Sequence, residues 1–243
     1  MRNVLPICRR EFSTYFLSPL GYIVLTIFLA VSGVFFLINT NYALQYDLDI
    51  SMKNTFGVVA IIMLFASPLV SMRLLAEEKR SGTIEPLMTA PVTDSEVVIG
   101  KYLAALGFHA FLLLPTLVYV WILGQIGGPD PGPIKTGYAG LMCLSAYFLA
   151  IGMFASSLTR NQIVAAILAF VVLLVMWITG EVASGMMKEG SILRQVLEYA
   201  GTSEHFNSFV EGVIDTKDVV YFASVSVFFL FLTTKVVEAR KWK

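Results

Sequence analysis

The hydrophobic positions of this 243-residue chain fall into six long runs that contain no Asp, Glu, Lys or Arg. A helix of about 20 apolar residues crosses a membrane, because the hydrocarbon core is about 30 Å thick and each helical residue rises about 1.5 Å. The pattern therefore predicts an all-α, polytopic membrane protein in which residues 1–243 form a single transmembrane domain. The predicted spans are Gly21–Ile38, Phe56–Met72, Tyr102–Ile126, Tyr138–Leu158, Ile163–Ile178 and Val219–Thr234.

Composition agrees with the spacing of the runs. Hydrophobic residues make up 57% of the chain and charged residues 14%, against about 45–50% and about 25% in soluble domains. The zero net charge gives no basic field for nucleic acid, so no nucleic-acid partner is expected. Cys8 and Cys143 are too few for a disulfide framework.

The distribution of basic residues predicts the orientation. Twelve of the 17 Lys and Arg residues lie at the two termini, in loop 73–101 or in the loop between spans four and five. Because loops on the cytoplasmic side carry the basic excess, both termini are predicted to be cytoplasmic. We interpret the first span as retained rather than cleaved, since its apolar run continues well past the loose cleavage-like site at Ala30.

Residues 1–19 are predicted to form an amphipathic helix that lies in the cytoplasmic interface and ends at Ser18-Pro19. The alternative is a flexible basic tail. The apolar positions of the predicted stripe are Leu5, Cys8, Phe12 and Tyr15, with Phe16 beside them, while Arg9, Arg10 and Ser13 fall elsewhere on the helix.

Loop 73–101 is the most charged part of the chain. The span-two helix is expected to continue to Arg80 and to stop at Gly82. Thr83 would then cap a short helix with an apolar face, Pro91 would break it, and Thr93-x-x-Glu96 would open the span-three helix as a capping box. The apolar face would consist of Ile84, Leu87 and Met88. The residues alone leave two interpretations open, a rigid cytoplasmic element or a solvated hairpin.

The long loop 179–218 carries two apolar stripes at helical spacing, and Asp215-x-x-Asp218 is expected to cap the last span. Short amphipathic helices in the outer leaflet would form the outer gate of a pathway or lie at the interface without gating. The stripes are Ile192, Leu193, Val196 and Leu197, then Phe206, Phe209, Val210 and Val213; the gate candidates are Phe206, Phe209 and Val210.

Motifs of soluble enzymes are missing from the sequence. It contains no G-x-x-x-x-G-K-[ST], H-E-x-x-H, C-x-x-C or G-x-S-x-G, so we predict no catalytic, cofactor or metal site and no ATP binding by this chain itself. His109, inside span three, is either a pathway residue or a neutral histidine bonded to a neighbouring helix. Pro68 and Pro115 can kink their spans.

The segment from Ala76 to Pro91, AEEKRSGTIEPLMTAP, resembles the cytoplasmic signature of type-2 ABC transport permeases. Arg9-Arg10-Glu11, followed by Tyr15 and Ser18-Pro19, fits the same family. Near the end, His205-Phe206-x-x-Phe209 and the stretch from Gly212 to Phe222 are similar to the branch that contains gliding-motility and nitrous-oxide-linked permeases. The three motifs together extend over the whole chain.

The resemblance implies a six-span membrane subunit of an ATP-driven exporter in the bacterial inner membrane. A separate cytoplasmic ABC ATPase would bind ATP and Mg and would dock on the N-terminal helix and on the segment Glu77–Pro91, which would be the coupling element. A second permease chain, identical or paralogous, would complete the pathway. The implied docking residues are Glu77, Glu78, Lys79, Arg80, Gly82, Thr83, Ile84, Glu85, Leu87, Met88 and Pro91, and those of the interfacial helix are Arg9, Arg10, Phe12, Tyr15 and Phe16.

Two other functions compete with transport. One is an energy-coupled anchor or scaffold of a motility or assembly complex, without passage of a substrate. The other is an enzyme acting on lipids. Glu77 and Glu78 stand beside Lys79 and Arg80 and are typical of helix-end charges rather than of an acid–base pair, which disfavours the enzyme.

Overall fold

The computed structural model describes residues 3–46, 48–82, 93–186 and 191–239, and these residues form helices and loops without a strand. Six helical stretches in this part of the chain are long and apolar enough to cross a membrane, as predicted. The helices are α1 (Val4–Leu17), α2 (Pro19–Gln45), α3 (Lys53–Ser71), α4 (Arg73–Ser81), α5 (Asp94–Leu113), a 3₁₀ turn (Leu114–Thr116), α6 (Leu117–Ile126), α7 (Pro131–Leu158), α8 (Gln162–Met186), α9 (Ile192–Ala200), α10 (Thr202–Val210) and α11 (Thr216–Glu238).

Helix α7 is the centre of the bundle. It packs against α3, α8 and α11. In its most apolar stretch of 18 residues, 72% of the residues are buried, whereas the share is 28% in the corresponding stretch of α2 and 22% in those of α8 and α11. The outer helices expose long apolar faces, as expected where lipid or another apolar surface covers a membrane protein.

The bundle has two ends, which we name by their short helices. At the α1 end, α1 meets the junction of α4, α5 and the C-terminus of α7. At the α10 end, α9 and α10 pack on α8 and α7. Helix α10 approaches α7 closely, because a Cβ added to Gly140 would lie 2.6 Å from Cβ of Phe209.

The helices extend beyond most of the apolar runs from which they were predicted, because hydrogen-bonded turns continue into the polar residues that flank the runs. The third span is interrupted where Pro115 lies in the 3₁₀ turn between α5 and α6. The hydroxyl of Thr116 donates to the carbonyl of Leu113 at 2.6 Å and lies 2.9 Å from the hydroxyl of Tyr138, so polar partners are available where proline interrupts the ladder.

Candidate functional site

Helix α1 packs its apolar stripe on α5. The helical periodicity of this stripe was predicted, but its membership differs from the prediction. Ile7 is buried against the bundle, whereas Leu5 is 77% exposed, so Leu5 does not take part in the face that packs on α5. The residue spacing alone did not decide which neighbouring position faces the bundle. The buried and partly buried positions are Val4, Ile7, Cys8, Glu11, Phe12, Tyr15 and Phe16.

Aromatic contacts fix α1 against α5. The ring of Tyr15 stacks on Phe108 with ring centroids 4.7 Å apart, and Phe16 meets Phe111 edge-on at 4.9 Å. A Cβ on Gly100 would lie 2.8 Å from Cγ2 of Ile7, so the absence of a side chain there lets the two helices approach. Each aromatic pair of this kind contributes about 0.5–1.5 kcal/mol to stability beyond the effect of the apolar area that it buries.

The opposite face of α1 is exposed and basic. Arg9 and Arg10 lie on it, and Arg10 bonds Glu11 through Nη2 at 2.8 Å. An open groove runs along this face, lined by Leu5, Pro6, Arg9, Arg10, Ser13, Thr14 and Leu17. The face combines positive charge with apolar contact area.

A buried lysine joins three helices at the α1 end. Lys101, in the second turn of α5, is 2% exposed; its Nζ lies 2.8 Å from Oε1 of Glu78 in α4 and 3.2 Å from Oε1 of Glu11 in α1. Burial alone would raise the pKa of Glu11, but the charges of Lys101 and Arg10 outweigh it and hold that pKa below its ordinary value. The two ion pairs of Lys101 thus join α1, α4 and α5. Separation of these helices is costly, because it would leave a buried charge without its partner.

Helix α4 is also attached to the C-terminal end of α7. Lys79 is buried, and its Nζ donates to the backbone carbonyl of Ser157. That carbonyl belongs to the last turn of α7, where a helix presents unpaired carbonyls and attracts positive charge. Glu78 and Lys79, both predicted as docking residues, therefore make contacts within this chain.

The joint between α3 and α4 contains an inserted hydroxyl. Oγ of Ser156 accepts hydrogen bonds from the amides of Leu75 at 3.2 Å and Ala76 at 3.0 Å. The same oxygen donates to the carbonyl of Met72 at 2.9 Å. In an uninterrupted helix the Ala76 amide would bond the Met72 carbonyl directly, so a side chain from α7 replaces one bond of the ladder at this joint.

Charged residues near the end of α4 are more accessible. Glu77 bonds Arg73 one turn earlier at 2.8 Å, and Nη1 of Arg73 donates to Oγ of Ser18 at 2.6 Å. Arg80 and Gly82 are exposed. Gly82 ends the helix with φ 71°, the left-handed conformation that glycine adopts most readily, as the sequence predicted.

The capping box that opens α5 is present as predicted. The amide of Glu96 donates to Oγ1 of Thr93, and the amide of Thr93 donates to Oε2 of Glu96. Several predicted docking residues lie outside the described residues, and so does the short helix assigned to them; they are Thr83, Ile84, Glu85, Leu87, Met88 and Pro91.

His109 is fully buried between α5 and α3. Its Nε2 lies 3.0 Å from Oγ of Ser67, and its Nδ1 lies 3.2 Å from the carbonyl of Ala105. A neutral ring that donates from Nδ1 and accepts at Nε2 satisfies both contacts. This is the helix-to-helix bond of the second interpretation above. Pro68 stands one residue after Ser67, inside α3.

The predicted gate residues Phe206, Phe209 and Val210 are all buried. Phe209 packs against Gly140 of α7, and its carbonyl accepts a bond from Oγ1 of Thr136 at 2.7 Å. In this structure they attach α10 to the bundle, and their role as a gate stays a prediction. Val213, assigned to the same stripe, was misplaced: it lies beyond the end of α10 and is exposed, because α10 ends at Val210.

Sequence reasoning missed Glu11, Lys101 and Ser156. Lys101 was counted only as a loop charge, because the sequence does not distinguish a lysine that reaches water from one that reaches a carboxylate. The signal available was the acid Glu11 on the bundle-facing side of α1, three and four residues from Cys8 and Tyr15. Ser156 carried no signal, since serine is common at close helix contacts in membranes.

These features define a multi-pass helical membrane protein with short helices packed on both ends of the bundle. Residues 5–237 match the profile described as ABC-2 family transporter protein. The chain belongs to this family, which supplies the membrane permease subunits of ABC transporters and not their ATPase.

Two relatives give a more local likeness. The chain is 33% identical over 116 residues to a protein named probable multidrug ABC transporter permease YbhS, from Escherichia coli K12 and from Escherichia coli O157:H7. That match covers 45% of this chain and 29% of each relative's length. The match agrees with the assignment to the ABC-2 permease family, and it is too short to extend the activity of the whole relative to this chain.

Proposed function

We propose that this chain is half of the membrane domain of an ATP-driven ABC exporter, in which two permease chains work with two separate ATPase subunits. The Lys101 cluster carries the proposal, because it connects the two elements expected at an ATPase, α1 and α4, to the span-three helix. A movement imposed on α4 thereby reaches α5 through Glu78 and reaches α7 through Lys79.

The docking surface would have two parts. One is the outward face of α1, where Arg9 and Arg10 are exposed. The other begins at Arg80 and Gly82, which are exposed at the end of α4, and continues into residues 83–92. Basic side chains beside apolar ones suit an ATPase groove that offers acidic and apolar groups.

Transmission of force needs an element that does not yield. Helix α4 is held at three places, by Ser156 near its start and by Lys79 and Glu78 near its end. A helix fixed in this way moves as a unit with the spans to which it is attached. An isolated hairpin that only kept charges out of lipid would not need a buried lysine, which costs several kcal/mol to desolvate.

The second permease chain is proposed from the exposed helices. The outer faces of α2 and α8 carry large apolar side chains, among them Phe35, Leu37, Ile167 and Val171, and either lipid or a second chain would satisfy them. Six spans from one chain leave its buried centre filled by packed side chains such as Phe148, so an enclosed path would form between two chains.

The orientation follows from the basic excess near the α1 end. We propose that this end faces the cytoplasm of a bacterial inner membrane and that both termini lie there. A single cysteine placed at Arg80 should then be labelled from the inside, and one placed at Lys135 from the outside. Outside labelling at Arg80 contradicts the orientation. The likeness to gliding-motility and nitrous-oxide-linked permeases, taken from the His205 to Phe222 segment, stays a prediction.

Docking is tested by co-purification of the partner ATPase with wild-type and variant chains at equal membrane levels. Leu87→Asp and Glu85→Lys change no span, so insertion should be intact while ATPase recovery and coupled hydrolysis fall sharply. Lys135→Glu, an exposed change at the α10 end, is the control. Unchanged recovery and hydrolysis in both docking variants would contradict the assignment of segment 77–91 as the coupling element. Intact docking and hydrolysis without movement of any substrate would favour the scaffold function.

A further inference from the structure

Three helices meet at one buried histidine at the α10 end. His205 lies in α10. Its Nδ1 lies 2.6 Å from Oδ1 of Asp218, a buried residue in the first turn of α11. Its Nε2 lies 2.8 Å from the backbone carbonyl of Tyr199, in the last turn of α9. This one side chain therefore joins α9, α10 and α11.

Both ring nitrogens of His205 face hydrogen-bond acceptors. A neutral imidazole has one N–H and one lone pair, whereas an imidazolium has two N–H groups. A neutral ring beside an ionised Asp218 would therefore turn its lone pair either toward the carboxylate at 2.6 Å or toward the carbonyl of Tyr199 at 2.8 Å. The imidazolium donates to both acceptors at the same time.

The surroundings of the pair favour an imidazolium and a carboxylate over two neutral groups. The last carbonyls of a helix attract positive charge, and the first turn of a helix favours negative charge. His205 contacts the last turn of α9, and Asp218 lies in the first turn of α11. The ring of His205 also stacks on Tyr221 with ring centroids 4.1 Å apart, and an aromatic face attracts a cation.

Other titratable groups lie around the pair. They are Glu204 in α10, Asp215, Lys217 and Tyr221 in or next to α11, Glu198 and Tyr199 in α9, Glu181 in α8, and Tyr147 in α7. Lys217 pairs with Asp215 at 3.3 Å. Burial and the neighbouring Glu198 raise the pKa of Glu204. Glu204 is therefore the group whose titration has to be separated from that of His205.

The position of α9 depends strongly on polar contacts at its C-terminal end. None of its nine residues is buried, so little apolar contact is lost when it moves away from the bundle. The carbonyl of Tyr199 accepts from His205, and the carbonyl of Ala200 accepts from the hydroxyl of Tyr221, at 2.8 Å in both cases. Segments with few buried apolar contacts open at a low free-energy cost. Loss of one of these two bonds therefore favours opening.

We propose that a protonated His205 holds α9 on the bundle and that loss of this proton at alkaline pH releases α9. At about pH 8 an imidazole in water is neutral, so the opened end gives up a proton that the closed end retains. Opening then increases as the pH rises, by up to about tenfold for each pH unit, because one proton leaves with each opening. This response follows the pH of the compartment that the α10 end faces, and it does not depend on ATPase docking.

The charge of the ring is measured by nitrogen NMR on the full-length chain, labelled at histidine and reconstituted in nanodiscs. The sequence contains two histidines, His109 and His205, and the spectrum of His205→Gln assigns them. His205 should give the imidazolium signals at about pH 7.5, where an imidazole in water is mostly neutral. A neutral ring at His205 under these conditions overturns the proposal.

Opening is measured by hydrogen exchange of the α9 amides between about pH 6 and about pH 9, corrected for the intrinsic exchange rate and compared with α7. Protection of α9 should fall as the pH rises in wild type. His205→Gln should reduce protection by about tenfold at about pH 6 and remove its pH dependence. Glu204→Gln, the matched control, should retain the pH dependence.

The proposal is also overturned if α9 protection in wild type does not change with pH, or if it changes equally in wild type and His205→Gln. Loss of the pH dependence in Glu204→Gln would assign the titration to Glu204 and would overturn the proposal as well. The two measurements on wild type decide the proposal even where His205→Gln does not fold.

Discussion

Replacement of Lys101 by Met should weaken the attachment of α1 and α4 to α5. Lys101 is 2% exposed, and its two carboxylate partners are 17% and 16% exposed. Removing one partner of a buried ion pair costs about 3–5 kcal/mol. The small solvent exposure of Glu11 and Glu78 favours the lower end, so we expect a loss of about 3 kcal/mol.

This loss corresponds to a fall in melting temperature of roughly 6–12 °C, at about 2–4 °C per kcal/mol for a chain of this size. The measurement is a thermal melt of the detergent-purified chain, followed by size-exclusion recovery. Lys135→Met, on an exposed residue, controls for loss of a positive charge. Adding Glu78→Gln to Lys101→Met should restore part of the stability, because it removes one of the two uncompensated charges.

The same variants test coupling. At a temperature where all remain folded, Lys101→Met should still bind the ATPase through α1 and loop 83–92, but substrate-stimulated hydrolysis should fall. A melting temperature for Lys101→Met within about 1 °C of wild type, well below the shift expected for a buried pair, would refute the role of the cluster in holding the three helices.

Three further predictions follow from contacts at other places in the bundle. Ser156→Ala should lower the free energy of unfolding by about 1–3 kcal/mol, because the Leu75 and Ala76 amides lose their acceptor; Ser157→Ala, whose hydroxyl bonds only within α7, is the matched control, and equal melts would contradict the inserted-hydroxyl interpretation. Gly140→Ala should cost about 1–3 kcal/mol through overlap with Phe209, whereas Gly124→Ala, with nothing within 4 Å of the added Cβ, should not destabilise; the comparison is made by thermal melts, and similar losses in both would be unexpected. The pKa of Glu11 is lowered in the folded chain, so on acidification the unfolded chain binds a proton at Glu11 before the folded chain does. The stabilisation by ionised Glu11 is therefore complete above the ordinary carboxyl pKa and is lost as the pH falls through the folded pKa. The stability difference between wild type and Glu11→Gln should shrink on acidification, and a constant difference would show that Glu11 is not in an ion pair.

Much of the fold follows from local rules. Charge-free runs predicted the six spans because a charge in hydrocarbon is costly, and the left-handed cap at Gly82, the capping box at Thr93 and the Asp215 cap of α11 each depend on residues within three positions. The ion pairs between helices could not be derived from such local rules. Lys101 finds Glu11 and Glu78 through tertiary packing, and His205 meets Asp218 across a turn between two helices. Periodicity identified the face of α1 only approximately, because Leu5 and Ile7 are equally apolar but only one contacts α5.

The central position of α7 has a mechanical consequence. This helix has 28 residues and is about 42 Å long at about 1.5 Å per residue. It is bonded to α4 through Ser156 at one end and to α10 through Thr136 near the other. If this helix tilts as a rigid body by about 5° around its midpoint, its two ends move by about 2 Å in opposite directions. Small movements of α4 would thereby displace α10 on the far side of the bundle without any change in the fold of the helix between them.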